Sequence, residues 1–207
     1  FALWKSFFNS LGVKVVLSDE FKSEVKTSIK DGKKISGAEF CAPMQSFFGH
    51  VKVLADKCDY IFIPVYTEDK DNKEKDYFRQ HCYYTQFAPS IASQIETLNL
   101  KDKLLSPVIE NKPLSNKITL FNLLKDILKL NYFGYWKVAS AYDDALSLLE
   151  SGKDELKELF KYEMQNTEDI NVMLIGRPYV ILSNSLNKGI PGIFSHLGIK
   201  SFYQDML

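Results

Sequence analysis

The sequence predicts an α/β fold: two Rossmann/flavodoxin-like lobes with parallel sheets, joined by a helical connector, with the second lobe truncated. Three observations lead there. Short apolar, strand-like runs alternate with segments of helical periodicity, the pattern that builds parallel sheets through helical crossovers. One of those runs, Asp59-Tyr-Ile-Phe-Ile-Pro64, is apolar at almost every position, as expected of a strand covered on both faces. A long stretch rich in Leu, Lys and Glu, Tyr135 to about Glu168, separates this strand–helix series from a second one.

Taken in order, Leu3, Trp4, Phe7, Phe8 and Leu11 recur at helical spacing, and Gly12 supplies a C-terminal stop. The β-branched run Val13 to Leu17 reads as a strand ending at Ser18-Asp19. Residues 20–32 are polar with a helical tendency, and Gly37 to Pro43 read as a loop that carries Cys41. From Met44 to Lys57 the spacing of Phe47, Phe48, Val51 and Leu54 predicts a helix with one apolar face. The strand 59–64 follows. Residues 67–76 are charged throughout and read as a mobile surface loop. Beyond Cys82-Tyr-Tyr-Thr-Gln-Phe87, a helix is expected from Ala88 to Leu98, with Pro89 in its first turn. Leu104 to Ile109 reads as a further strand.

Residues 115–131 read as a helix capped by Ser115. The stretch from Tyr135 reads as one or two helices interrupted near Ser151-Gly152. A fresh strand, Ile170 to Ile175, runs into Gly176-Arg-Pro-Tyr179, then a helix near Ile190 to Leu197 and a strand around Lys200 to Tyr203. The expected organisation is therefore a first lobe over 1–112, a helical connector over 113–168 and the start of a second lobe over 169–207. An opening on Phe1 without Met, and an end just after a strand, suggest a piece excised from a longer protein.

Composition excludes several classes of function. With 207 residues, 45% of them hydrophobic and 14% aromatic, the chain has ample material for a packed core. Lys plus Arg equals Asp plus Glu, at 26 each, so no overall field attracts a phosphate backbone or an anionic membrane, and nucleic acid is not an expected partner. No apolar run approaches the roughly 20 residues a membrane span needs, and no leader is recognisable; a soluble, cytoplasmic protein is expected. Three cysteines cannot all pair with one another and do not suggest an oxidised, secreted scaffold. There is no phosphate-binding glycine motif and no Gly-x-Ser-x-Gly, so ATP or ester hydrolysis within this chain is disfavoured.

Chemistry, if present, is expected in loops at the carboxyl ends of the strands, where Cys41 and Cys82 are expected to fall. Cys41 precedes Ala42-Pro43, and Cys82 has Tyr83, Tyr84 and Phe87 about it to exclude water. A soft thiolate pair in a dry pocket suits iron–sulfur ligation; by spacing alone, two cysteines 41 residues apart are more often ordinary thiols. Cys58, at the mouth of a buried strand, reads as a small structural hydrophobe. The three histidines form no zinc pattern. His50 and His81 could each support a cluster through an outer hydrogen bond or simply pack or face solvent. Arg177 and Tyr179 offer an anion contact, a small-molecule site or a plain turn.

Several stretches together resemble one family: Phe1-Ala-Leu-Trp-Lys-Ser-Phe-Phe-Asn-Ser-Leu-Gly12 with Val-Val-Leu-Ser-Asp19, Cys41-Ala-Pro43 with Gly49-His50-Val51, Asp59 to Pro64, Cys82-Tyr-Tyr-Thr-Gln86, and Gly176-Arg-Pro-Tyr179 with Asn187-Lys-Gly-Ile-Pro191. These are similar to the region, often filed as a domain of unknown function, that follows the ATPase modules of 2-hydroxyacyl-CoA dehydratase activators; the last pair also resembles the dehydratase subunits. The resemblance implies an iron–sulfur, electron-transfer role, with Cys41 and Cys82 as ligands of a 4Fe-4S-type cluster and a further ligand expected beyond Leu207. This fragment alone is therefore expected to hold an incomplete site, without bound cluster. The implied partners are the ATPase activator modules, in the same or a separate chain, and a dehydratase-like redox protein. The competing expectation is a non-catalytic module that docks the ATPase part onto its partner.

Overall fold

The computed structural model describes residues 2–66, 69–70, 78–79, 82–131, 133–165 and 170–207. It is a mixed α/β protein, dominated by helices, with short and mostly parallel strands. Its contacts divide it into two compact units, Phe7–Asp143 and Phe1–Ser6 with Asp144–Leu207. The division falls inside helices, not in loops, which distinguishes it from the boundaries expected near 112 and 168.

In the unit Phe7–Asp143, helix α1 (Ala2–Ser10) delivers Phe7 and Phe8 to the core. It stops where Gly12 takes φ +80°, with Val13 N–H bonded back to Phe8 O at 3.0 Å. That left-handed residue with a long return bond is the helix stop that Gly12 signals in the sequence. Val13 to Leu17 then run without regular structure, and no described strand pairs with them. The expected strand is absent because β-branched residues favour an extended backbone but do not by themselves supply a partner.

Helices α2 (Lys22–Val25) and α3 (Ser28–Ile35) lead to α4 (Ala42–Ala55). A Cβ on Gly32 would collide with the backbone carbonyl of Gln45, and one on Gly49 with that of Ser28. Between them the Ser28 and Ser46 hydroxyls, both buried, lie 3.3 Å apart. Glycine and serine at these positions let α3 and α4 cross backbone to backbone, as larger side chains would not.

Strands β1 (Ile61–Phe62) and β2 (Val65–Tyr66) pair in parallel with β5 (Leu104–Leu105) and β6 (Val108–Ile109). Ile61↔Leu104 and Val65↔Val108 share one register. Ile61, Ile63 and Val65 donate in succession to Lys103, Leu105 and Pro107 carbonyls at 2.8–2.9 Å. The two expected strands, 59–64 and 104–109, are thus one ladder, interrupted where Pro107 has no N–H to return to it. Helix α5 (Tyr83–Ser93) packs with α4 over this ladder, and Met44, Phe48, Val51, Ala55, Ile61, Ala88 and Ala92 form the centre of the resulting core.

Three further expectations need correction. The charged segment 67–76 contains β3 (Asp69–Lys70), antiparallel to β4 (Phe78–Arg79); the rest of that segment lies outside the described residues. Helix α5 starts five residues earlier than Ala88, so Pro89 sits inside it, buried, and not in its first turn. Apolar contact outweighs the N–H that Pro89 lacks. Helix α6 (Pro113–Leu124) begins at Pro113, which has its φ preset for a first turn, so Ser115 is not its cap.

Helix α7 (Gly134–Gln165) is unbroken through Ser151-Gly152. The surrounding Leu, Lys and Glu carry the helix across one glycine, whose cost is about 1 kcal/mol. At the start of α6, Asn116 is buried; its Oδ1 accepts from Glu110 N–H at 2.9 Å, while Nδ2 donates to Glu110 O at 2.7 Å and to the Tyr142 hydroxyl at 3.0 Å. One amide thereby fastens β6 to both α6 and the first part of α7.

In the unit containing Asp144–Leu207, β7 (Asn171–Leu174) and β8 (Lys200–Tyr203) pair in parallel over four residues. Phe202 packs edge-on against Phe160 at 5.2 Å. Short helices α8 (Pro178–Ile181) and α9 (Ile190–His196) lie between the strands in sequence. No described helix is long and apolar enough to cross a membrane.

Candidate functional site: two cysteines at helix N-termini

Cys41 and Cys82, which the sequence places in strand-end loops, are both N-cap residues. Cys41 caps α4 with φ −61° and ψ 155°, and Cys82 caps α5 with φ −60° and ψ 127°. The difference arises because each helix begins earlier than its apolar periodicity shows. Ala42 and Pro43 already form the first turn of α4, where proline is favourable, and Tyr83 to Phe87 form the first turns of α5. Cys41 follows a turn after α3, so it stands at no strand end.

An aromatic contact links the residues beside the two caps. The Phe40 ring, one residue before Cys41, meets the Tyr84 ring, two residues after Cys82, edge-on at 5.6 Å, and meets Phe48 of the core at 5.3 Å. Cys41 is exposed and Cys82 half-buried. Backbone N–H groups at a helix start favour negative charge, and in sequence no charged side chain occurs from Phe40 to Gly49 or from Cys82 to Ile95. Tyr83, Tyr84 and Phe87 stay 63%, 47% and 57% exposed, so α5 presents an uncharged aromatic face beside its cysteine.

The other sequence candidates distribute differently. His50 lies nine residues along α4 from Cys41, roughly 13 Å of helix rise. Its Nδ1 is 2.7 Å from Ser18 Oγ and 3.9 Å from an Asp19 carboxylate oxygen. Burial lowers its pKa, partly offset by Asp19, so the ring is held neutral. That tie joins the turn 18–20 to α4, and the Ser18 hydroxyl was not singled out by the sequence. Cys58 packs against the core; burial first, and then neighbouring Asp59, pushes its thiol pKa up, which suits a structural thiol. His81 lies outside the described residues.

Arg177 and Tyr179 belong to the unit containing Asp144–Leu207 and are both exposed, Arg177 as the N-cap of the four-residue α8. The loop they begin is held by Gln204 Oε1 accepting from Gly176 N–H at 3.1 Å. It is closed by buried Asn187, which donates to Ile181 O and accepts from Gly189 N–H. The motif around Asn187 is thus visible as a loop clasp.

The donor chemistry at Cys41 and Cys82 fits a soft metal centre, and the donor number is half of the four thiolates such a centre takes. Among the described residues no group of three or more His, Cys, Asp or Glu converges as a metal site.

Fold and site together define a mixed α/β domain with two helix-capping cysteines, each followed by an apolar or aromatic first turn. The model of the family described as the CoA enzyme activase uncharacterised domain matches residues 1–207, and the chain belongs to that family. No curated protein and no solved structure matches the chain.

Proposed function

We propose that this domain serves electron transfer in a CoA enzyme activase system, using Cys41 and Cys82 as half of the thiolate set of an iron–sulfur centre. The observation that supports this most is that each cysteine caps a helix, the two helix starts being linked by the Phe40–Tyr84 contact. Family membership supports the activase context. An iron–sulfur centre would supply one-electron chemistry when bound; the chain's part is to present two sulfurs at helix starts and favour negative charge there. The remaining ligands would come from another segment or chain. In this reading the ladder of β1/β2 with β5/β6 and the pair β7/β8 are the cores of two Rossmann-type lobes.

Anaerobic reconstitution with iron and sulfide tests the proposal. The full-length parent protein that carries this domain, and its Cys58→Ser variant, should gain a chromophore that dithionite bleaches, and its Cys41→Ser and Cys82→Ser variants should not. Equal absorbance in all four proteins would remove the ligand assignment.

A second reading is favoured by the exposed Tyr83, Tyr84 and Phe87: a module that docks the ATPase activator or its dehydratase-like partner, with every cysteine structural. Aromatic side chains with few charges nearby are the usual anchors of protein interfaces. Under this reading Phe87→Ala weakens partner capture, and Cys41→Ser and Cys82→Ser leave it intact.

A further inference from the structure

Each cysteine cap is followed, four residues on, by a glutamine: Cys41-Ala-Pro-Met-Gln45 and Cys82-Tyr-Tyr-Thr-Gln86. Gln45 grips the chain on both sides of Cys41. Its backbone N–H donates to Cys41 O at 3.0 Å, and its side-chain Nε2 donates to Phe40 O at 2.8 Å. The two carbonyls that flank the Cys41 α-carbon are therefore both held by one residue. This follows from helix geometry, since a side chain in the first turn points back toward the helix start.

The grip is itself anchored. Gly32 of α3 lies so close to the Gln45 carbonyl that no Cβ would fit between them, so the backbone of residue 45 is fixed from the other side. Fixing φ and ψ at Cys41 fixes the direction of its Cα–Cβ bond, leaving only χ1 to aim the sulfur. At the second cap Gln86 N–H donates to Cys82 O at 3.1 Å. Gln86 is half-buried, and Cys82 shares the extended φ of Cys41, −60° against −61°, with ψ 127° against 155°.

We propose that Gln45 is a positioning residue that holds the Cys41 cap in a ligand-presenting geometry. This rests on the ligand reading given above. Residues that orient metal ligands through hydrogen bonds commonly change metal affinity by about 10- to 100-fold when lost. A residue that served only to cap a helix would change stability instead.

The test is anaerobic titration of the full chain with Co²⁺, following the thiolate-to-metal charge-transfer band, alongside thermal melts of the same proteins. Gln45→Met keeps length and helix propensity but removes the donor; Gln45→Lys restores a donor on a side chain of similar reach. The expected result is a roughly tenfold weaker Co²⁺ affinity in Gln45→Met with an unchanged melting temperature, recovered in Gln45→Lys. Native affinity in Gln45→Met, or a loss that only tracks a fall in melting temperature, would overturn the positioning role while leaving the ligands in place. A band of equal strength in Cys41→Ser would instead overturn the ligand reading beneath it.

Discussion

The Phe40 ring meets the Tyr84 ring edge-on at 5.6 Å, and this contact couples the start of α4 to the start of α5. Edge-to-face aromatic pairs contribute about 0.5–1.5 kcal/mol beyond the area they bury. Tyr84→Ala should therefore lower unfolding free energy by about 1 kcal/mol, whereas Phe48→Ala, in the fully buried centre of the same cluster, should cost about 4 kcal/mol. Urea denaturation of both variants measures the contrast.

The crossing of α3 and α4 depends on two missing side chains. Because a Cβ at Gly32 or Gly49 would overlap backbone atoms of the opposite helix, Gly32→Ala and Gly49→Ala should each destabilise by about 2–3 kcal/mol. Gly152→Ala on α7, with open space around the added carbon, should stabilise by about 0.5–1 kcal/mol. Denaturation midpoints of the three variants should split in sign.

Asn116 places every polar atom of its amide in a hydrogen bond. Asn116→Ala leaves the Glu110 backbone and the Tyr142 hydroxyl without that partner and should cost about 2–3 kcal/mol; Tyr142→Phe should cost about 1 kcal/mol. The double variant should cost less than the sum, since the two changes share one bond.

His50 makes stability depend on pH. Burial depresses its pKa in the folded state, so as pH falls below the ordinary imidazole value of about 6.5 the unfolded chain takes up a proton before the folded one does. Stability is complete above that value and is lost through the window below it. His50→Asn should flatten the slope of unfolding free energy against pH between neutral and mildly acidic solution; an unchanged slope would contradict the burial of a neutral ring.

Sequence patterning conveyed the presence and order of most elements, because apolar periodicity reports which face of a helix is buried: Phe47, Phe48, Val51 and Leu54 placed α4, and Gly12 placed the end of α1. It conveyed helix starts poorly. First turns are fixed by caps and proline geometry, and in α4 and α5 they carry no regular apolar stripe, so Cys41 and Cys82 read as loop residues when both are caps. Val13–Leu17 had the composition of a strand without a partner to pair with. The Asn116 clasp, the His50–Ser18 bond and the Gln45 grip each join residues by side-chain reach, which one sequence does not encode as a pattern.

Cysteine accessibility gives a further check. Cys41 is exposed, whereas the Cys58 thiol is packed on the core with its pKa raised by burial. Iodoacetamide labelling of the native chain, followed by peptide mass spectrometry, should modify Cys41 well before Cys58, and the order should vanish in denaturant.

In the proposed site Cys41 and Cys82 present their sulfurs to one centre. Bridging by dibromobimane, a short reagent that fluoresces only when it joins two thiols, tests this most directly in a Cys58→Ser chain. The expected product is a fluorescent monomer whose digest contains the Cys41 and Cys82 peptides joined together. Two singly modified cysteines, with no joined peptide under conditions that keep the chain folded, would contradict it.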